Sequence, residues 1–183
     1  MEQEHNSCDD NGDHGACCKS TGSSLRQTLD EMDFERGIWH AAQTDDLERV
    51  KNLLSQGTSA SEVDSSGYTA LHYAARSGNI DICRVLIANG AQVNSVTRYG
   101  RATSLHRAAM RGNDEIVRLL MDSGADPNIQ DADGYTALHR AALAGCQASW
   151  NQLVPKTNQN LLDKNQKTAI DLVNEKKTGI ITN

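Results

Sequence analysis

The 183-residue chain is long enough to bury a core, and it carries a net charge of −6 with 38% hydrophobic residues. No apolar stretch approaches the ~18 residues of a membrane span, and the N-terminus lacks the basic start and apolar run of a secretory signal. Residues 1–50 hold twelve acidic against four basic residues and residues 51–183 hold twelve against fourteen, a distribution that argues against general nucleic-acid binding by the whole chain.

The N-terminal end predicts a disordered acidic tail over residues 1–23 and a short helix over residues 24–32, which opens with an S-x-x-Q capping box. The chain has five cysteines and no export signal, so we expect reduced thiols and a location in the cytoplasm or the nucleus.

Four side chains of the tail are potential zinc ligands: Cys8, His14, Cys17 and Cys18. Their spacing is unfamiliar, and two adjacent cysteines fit one tetrahedral ion poorly. Lipidation or plain disordered thiols are the preferred interpretations. A metal- or thiol-dependent role of the tail is therefore kept as an alternative function.

An internal repeat begins after the tail. Ala-Ala pairs occur at residues 41–42, 74–75, 108–109 and 141–142, so their spacings are 33, 34 and 33 residues. A period of about 33 residues is typical of one supersecondary unit stacked on copies of itself. The small alanines let neighbouring helices approach closely, and stacking closes the apolar face that a single two-helix unit leaves open.

Each unit shows the signals of two helices. In the second unit, Thr69 caps a first helix that ends at Gly78. An apolar stripe that includes Ile82 and Leu86 indicates a second helix ending at Gly90.

The pattern D-x-x-G-x-T-x-L-H-x-A-A-x-x-G followed by L-L-x-x-G-A-x-x-N resembles the ankyrin repeat over residues 64–145, and more loosely on either side. This resemblance implies an all-α repeat solenoid, an ankyrin-type stack of helix-turn-helix units with β-hairpin fingers. Four units and a C-terminal capping helix are expected within residues 33–179, with these bounds: 33–63, 64–97, 98–130, 131–162 and 163–179.

Departures from the pattern mark the ends of the array. Trp39 stands in the first unit where later units have histidine, and the second helix of that unit is polar, as in an N-terminal cap. In the fourth unit, Ser149, Trp150 and Gln152 replace aliphatic residues, so we expect its packing to be the weakest. Of the two cysteines in the array, Cys83 should be buried and Cys146 accessible.

Three units carry a histidine three residues after a capping threonine. The six residues with this expected structural role are Thr69, His72, Thr103, His106, Thr136 and His139. Stacked helices lie ~8–10 Å apart whereas Zn–N bonds are ~2.0–2.1 Å, so equivalent histidines cannot converge on one ion. We expect their rings to hydrogen-bond backbone or hydroxyl groups and to tie adjacent units together.

The chain is predicted not to be an enzyme. No nucleophile or orienting partner recurs beside the histidines. The common phosphate-binding, zinc-protease and hydrolase motifs are absent from the sequence as well. No cofactor and no small-molecule substrate are therefore expected.

Resemblance to the ankyrin family places partner recognition on the concave side of the stack. Ten residues are expected to bind a partner there: Tyr73, Arg76, Arg98, Tyr99, Arg101, Arg107, Met110, Arg111, Arg140 and Leu143. Six are arginines, which bind carboxylates or phosphates through a planar fork, while the tyrosines, methionine and leucine offer apolar anchors. We therefore predict a monomeric, non-catalytic adaptor or scaffold that binds an acidic, partly apolar segment of another protein.

Three alternatives stay open for the arginine-rich side. Its arginines could be helix formers with solvated heads, or they could bind nucleic acid, which would show a steep salt dependence across unrelated sequences. The acidic tail could also fold back onto this side and compete with partners.

The third finger, with the sequence TRYGRAT, is one residue longer than the others. Arg101 stands where Gly67 and Gly134 stand, a position that favours a positive φ, so we expect Gly100 to take the turn instead. Arg98, Tyr99 and Arg101 make this finger the predicted specificity site, with a tolerated surface insertion as the alternative.

Overall fold

The computed structural model describes residues 37–178, in which nine α-helices are joined by turns and short loops. The helices are α1 (Ile38–Gln43), α2 (Leu47–Ser55), α3 (Ala70–Ser77), α4 (Ile80–Ala88), α5 (Ser104–Arg111), α6 (Asp114–Asp122), α7 (Ala137–Ala144), α8 (Gln147–Leu153) and α9 (Ala169–Thr178). The predicted tail and the helix expected over residues 24–32 lie outside the described residues.

The helices form two layers. The odd-numbered helices pack side by side in chain order, and the even-numbered helices α2, α4, α6 and α8 form a second layer behind them. Each odd-numbered helix from α1 to α7 also packs against the even-numbered helix that follows it. The predicted all-α repeat solenoid is therefore confirmed.

Small and large apolar residues share the core between these layers. The alanine pairs of α1, α3, α5 and α7 are buried, which allows neighbouring first helices to approach closely. Leu71, Leu105 and Leu138 occupy equivalent buried positions on successive first helices, and burying one such side chain contributes about 1.5–3 kcal/mol. The repeat of the sequence is thus a repeat of core positions.

The fingers between units are tight turns that lack the regular strands of a full β-hairpin. In the part of the chain that the structure describes, β pairing is limited to one isolated antiparallel bridge between Val63 and Thr69. The Asp64 carboxylate accepts hydrogen bonds from the backbone N–H groups of Ser66 and Tyr68, at 2.9 and 2.8 Å. The backbone closes the same turn, with bonds from the Asp64 N–H to the Tyr68 carbonyl oxygen at 2.9 Å and from the Gly67 N–H to the Asp64 carbonyl oxygen at 3.0 Å. Side chain and backbone together hold the finger without a longer ladder of strand bonds.

The two ends of the array replace the repeated contacts with polar ones. Trp39 of α1 donates its Nε1–H to the carbonyl oxygen of Glu62 at 3.0 Å. In α8, the buried Ser149 hydroxyl donates to the Asp114 carboxylate, while the buried Gln152 Oε1 has no partner within residues 37–178. A cavity of about 180 Å³, lined in part by Trp150, adjoins this helix. The unpartnered Gln152 oxygen and the cavity beside Trp150 both reduce packing in the fourth unit.

The two cysteines of the array should differ in reactivity. Cys83 is buried in α4, and burial raises the pKa of its thiol to about 12, whereas Cys146 is partly exposed before α8. Because the thiolate is the reactive species, we expect iodoacetamide to label Cys146 in the folded protein and Cys83 only after unfolding. Mass mapping of the labelled peptides measures this, and equal labelling of both thiols in the folded protein would contradict it.

Candidate functional site

The histidines and capping threonines lie in the interior, at the starts of α3, α5 and α7. His72 Nδ1 accepts hydrogen bonds from the backbone N–H of Thr69 at 3.1 Å and from the Thr69 hydroxyl at 2.8 Å. Because a backbone N–H can only donate, the ring proton must sit on Nε2, which donates to the Ala102 carbonyl oxygen of the next unit at 3.0 Å. One imidazole thus caps its own helix and holds the neighbouring unit.

The other two histidines repeat this arrangement. His106 Nε2 lies 2.9 Å from the Tyr135 carbonyl oxygen, and His139 Nε2 lies 3.3 Å from that of Lys167. Burial lowers the pKa of all three imidazoles, to about 4 for His72. The rings are therefore neutral near pH 7, and both of their nitrogens are engaged in contacts within the stack.

The positions that follow each histidine lie at the edge of the core, and Tyr73 still packs against it. Tyr73, Arg107 and Arg140 come one residue after a histidine in α3, α5 and α7, and each is half-buried. We call their side of the stack the first-helix face; it comprises these predicted partner-binding residues: Tyr73, Arg76, Arg107, Met110, Arg111, Arg140 and Leu143. The other three predicted residues, Arg98, Tyr99 and Arg101, lie on the third finger and are exposed.

Arg140 is held by the finger of its own unit. Its Nε donates to Asp131 Oδ2 at 2.8 Å, and its Nη2 contacts both that oxygen and Asp133 Oδ2, the latter at 3.2 Å. The guanidinium carbon also lies 4.6 Å from the centroid of the Tyr135 ring. The Asp131 side chain is only 1% exposed, so this arginine balances a buried charge and stabilises its finger.

Tyr73 makes the matching contact in the second unit. Its hydroxyl donates to Asp64 Oδ2 at 2.7 Å, which joins α3 to the finger that precedes it. The first residue of each of these two fingers is thus an aspartate that binds the residue following the histidine.

Arg107 has a different environment in the third unit. The residue that corresponds to Asp64 and Asp131 is Thr97, which carries no charge. Arg107 Nη2 donates to the Tyr68 hydroxyl, and the guanidinium carbon lies 5.2 Å from the centroid of that ring. Its Nε is buried without a hydrogen-bond partner among the described residues, and none of their carboxylates lies within 4.0 Å.

The third finger closes through Thr97. The Thr97 Oγ1 accepts a hydrogen bond from the Ala102 N–H at 3.1 Å, and the Thr97 carbonyl oxygen accepts one from the Arg101 N–H at 3.0 Å. Arg101 has a φ of 47°, whereas Gly100 is not in the left-handed region. The expectation that Gly100 takes the turn was wrong: the extra residue precedes Arg101, so Arg101 keeps the bonded position that Gly67 and Gly134 occupy.

The exposed arginines of the first-helix face and the third finger lack carboxylate partners in the described part of the chain. The ion pairs within residues 37–178 do not include Arg76, Arg98, Arg101 or Arg111. Tyr99, at the tip of the third finger, has a side chain that is 78% exposed. The first-helix face and the third finger together present positive charge next to apolar surface.

Sequence reasoning grouped Arg107 with Arg140 and missed the difference between their environments. The signal was present in the residue that opens each finger, because Asp64, Thr97 and Asp131 differ in charge at one repeat position. The sequence does not show that the side chain of the first finger residue contacts the residue after the histidine, so the meaning of this charge difference became clear only from the structure.

Neither a metal-binding cluster nor a membrane-spanning helix is present within residues 37–178. Residues 37–178 contain no group of three His, Cys, Asp or Glu side chains that could hold a metal ion. The possible zinc ligands Cys8, His14, Cys17 and Cys18 lie outside that range, as does the acidic tail. None of the helices described is both long and apolar enough to cross a bilayer.

Comparison with known proteins gives consistent matches. The family model of ankyrin repeats matches residues 14–97, 38–131 and 105–173. Ankyrin repeat domain-containing protein 39 of Homo sapiens is 50% identical over 85 residues, which cover 45% of this chain and 46% of the human protein. The Bos taurus protein of the same name is 57% identical over 67 residues, covering 36% and 37%.

A third relative is an enzyme. Palmitoyltransferase akr1 of Schizosaccharomyces pombe is 49% identical over 108 residues, which cover 58% of this chain and 17% of the enzyme. In all three comparisons the aligned stretch spans less than half of the relative's length.

Proposed function

Because this chain belongs to the ankyrin-repeat family, whose members generally mediate protein–protein interaction without catalysis, we propose that it is an adaptor for another protein. The proposed ligand is an acidic, partly apolar segment, and the proposed site is the first-helix face with the third finger. The observation that carries this proposal is the set of arginines on that side that have no carboxylate partner within residues 37–178.

Charge complementarity supports an acidic ligand. A guanidinium forms two parallel hydrogen bonds with a carboxylate, and such charge-assisted bonds are roughly twice as strong as neutral ones. Since Arg76, Arg98 and Arg111 are exposed, an approaching carboxylate meets no competing ion pair in the described structure.

Apolar surface beside the charges supports a protein rather than a nucleic acid. Tyr99 is 78% exposed, and Leu143 on α7 is 42% exposed. Tyrosine and arginine are enriched among the residues that dominate protein interfaces. The palmitoyltransferase aligns over only 17% of its length, so its name gives no ground for proposing that activity here.

The proposal is tested by quantitative affinity capture from cell lysate with two matched variants. The first removes two arginines from the first-helix face, Arg76→Ala with Arg111→Ala. The second removes two exposed arginines from the even-numbered layer, Arg84→Ala with Arg118→Ala, and so changes the net charge equally. We expect partners to be recovered with the second variant and reduced about tenfold with the first, because two exposed charge pairs, each worth about threefold, are lost.

Thermal unfolding of both variants provides the control for folding. Equal recovery by both variants, or loss with the Arg84 and Arg118 pair alone, would exclude the first-helix face. Recovery that is dominated by nucleic acids of unrelated sequence and falls steeply with salt would instead favour a nucleic-acid binder.

A further inference from the structure

We propose that Arg107 is the specificity-determining residue of the first-helix face and that it binds an aspartate or glutamate side chain of the partner. The carboxylate would enter the cavity between the third and fourth units. This inference rests on the proposed function and narrows it to one contact.

Arg107 differs from the equivalent residues of the second and fourth units, because it has no aspartate in its own finger to bind. Asp64 binds Tyr73 in the second unit, and Asp131 binds Arg140 in the fourth. In the third unit Thr97 offers no carboxylate to Arg107, so the position that is neutralised in the fourth unit stays positively charged in the third.

The contacts that Arg107 does make are neutral. Nη2 donates to a tyrosine hydroxyl and the guanidinium lies beside the ring of the same Tyr68, while Nε is buried without an acceptor in the described residues. A guanidinium has five N–H donors in a fixed fork, and a carboxylate is the group that fits this fork best. A partner's carboxylate would supply the missing charge and acceptors.

A cavity of suitable size adjoins Arg107. Its volume is about 110 Å³, room for roughly three waters at about 30 Å³ each and therefore for a carboxylate group. The lining residues are Gly100, Ala102, His106, Arg107, Met110, Asp133 and Arg140. Asp133 is the one carboxylate among these; it is paired with Arg140 and 60% exposed, so solvent screens its charge.

The enlarged finger shapes the same cavity. Gly100 and Ala102 line one wall, and the Gly100 carbonyl oxygen accepts a hydrogen bond from the Ala132 N–H at 2.9 Å, which fixes the third finger against the fourth. The third finger thus has both the added residue and Thr97 in place of an aspartate, and both changes lie beside Arg107.

The test uses a library of random twelve-residue peptides displayed on phage and selected on the full chain. We expect the selected peptides to share an acidic residue at a fixed position. Replacing that residue by its amide should weaken binding to the native chain about tenfold, the effect of removing one charge-assisted contact.

Thr97→Asp is the critical variant, because it recreates beside Arg107 the carboxylate that Asp131 gives to Arg140. We expect it to unfold at a temperature no lower than the native chain and to bind the selected peptides about tenfold more weakly. In this variant the acid-to-amide change in the peptide should alter binding less than twofold, as in a coupled double-mutant cycle. Thr97→Ser, which keeps the hydroxyl acceptor for the Ala102 N–H, is the matched control and should bind like the native chain.

Arg107→Gln gives the same readout if Thr97→Asp does not fold. Selected peptides that lack an acid, or whose acid is equally important in Thr97→Asp and Arg107→Gln, overturn this inference. If those peptides still lose binding with Arg76→Ala and Arg111→Ala, the proposed function stands. Failure to select any peptide whose binding depends on the first-helix face counts against both the Arg107 contact and the proposed function.

Discussion

Acidification from pH 6.5 to pH 4 is expected to lower the free energy of unfolding, and His72 alone should account for about 3 kcal/mol of the loss. Burial is the main reason that the pKa of this imidazole falls from 6.5 to about 4 in the folded chain. The unfolded chain therefore binds more protons than the folded one between these pH values. The stabilisation is complete above pH 6.5 and is lost as the pH falls towards 4.

The hydrogen bonds explain why the folded protein needs a neutral ring. His72 Nδ1 accepts from two donors of Thr69, so a proton on that nitrogen would remove both bonds. His106 and His139 have the same contacts and pKa values lowered by burial, so they add to the effect in the same direction. Asp171 titrates below 3.8, since bonds from Thr168 lower its pKa, and it lies outside this pH range.

Urea unfolding followed by tryptophan fluorescence at pH 7, 6, 5 and 4 measures the effect. His72→Gln is the control, because glutamine at this position preserves a capping box with Thr69 but does not titrate. Near pH 5.5 the slope of unfolding free energy against pH should be smaller in the variant by about 1 kcal/mol per pH unit. Identical slopes would show that His72 is not the group that senses acid.

Truncating Leu138 is expected to destabilise the protein by about 3 kcal/mol, whereas truncating Leu143 on the same helix should cost about 0.5 kcal/mol or less. Leu138 is 1% exposed in the core between the layers, so Leu138→Ala leaves a cavity. Leu143 is 42% exposed on the first-helix face, so Leu143→Ala removes little buried surface. Both leucines belong to α7, which controls for helix propensity.

Urea unfolding at pH 7 gives both free energies. The same two variants also separate stability from binding, since Leu143→Ala should weaken partner binding without loss of structure. Equal destabilisation by the two changes would mean that α7 does not face the core as described.

The repeat itself was readable from the sequence because its signals are local. Threonine caps, glycine stops and alanine pairs recur every 33 or 34 residues, and each has one preferred place in a helix. A structural role for the histidines could likewise be expected, because their spacing follows the period of the stack. Helix positions and core residues are consequences of this period.

The chemistry of the first-helix face was not readable in the same way. Arg140 and Arg107 follow identical Leu-His pairs, yet only Arg140 meets a carboxylate, because the contact depends on a finger residue nine positions earlier. The turn at Arg101 also escaped prediction. An arginine with a φ of 47° is uncommon, and only the bond from its N–H to the Thr97 carbonyl oxygen explains it.

Binding of another protein to the first-helix face is tested most directly by amide hydrogen exchange of the full chain, alone and with a captured partner. We predict slower exchange in the partner complex over residues 97–111, which span the third finger and α5, and unchanged exchange in α4 and α6. Protection confined to α4 and α6, or to residues 1–36, would contradict the proposed site.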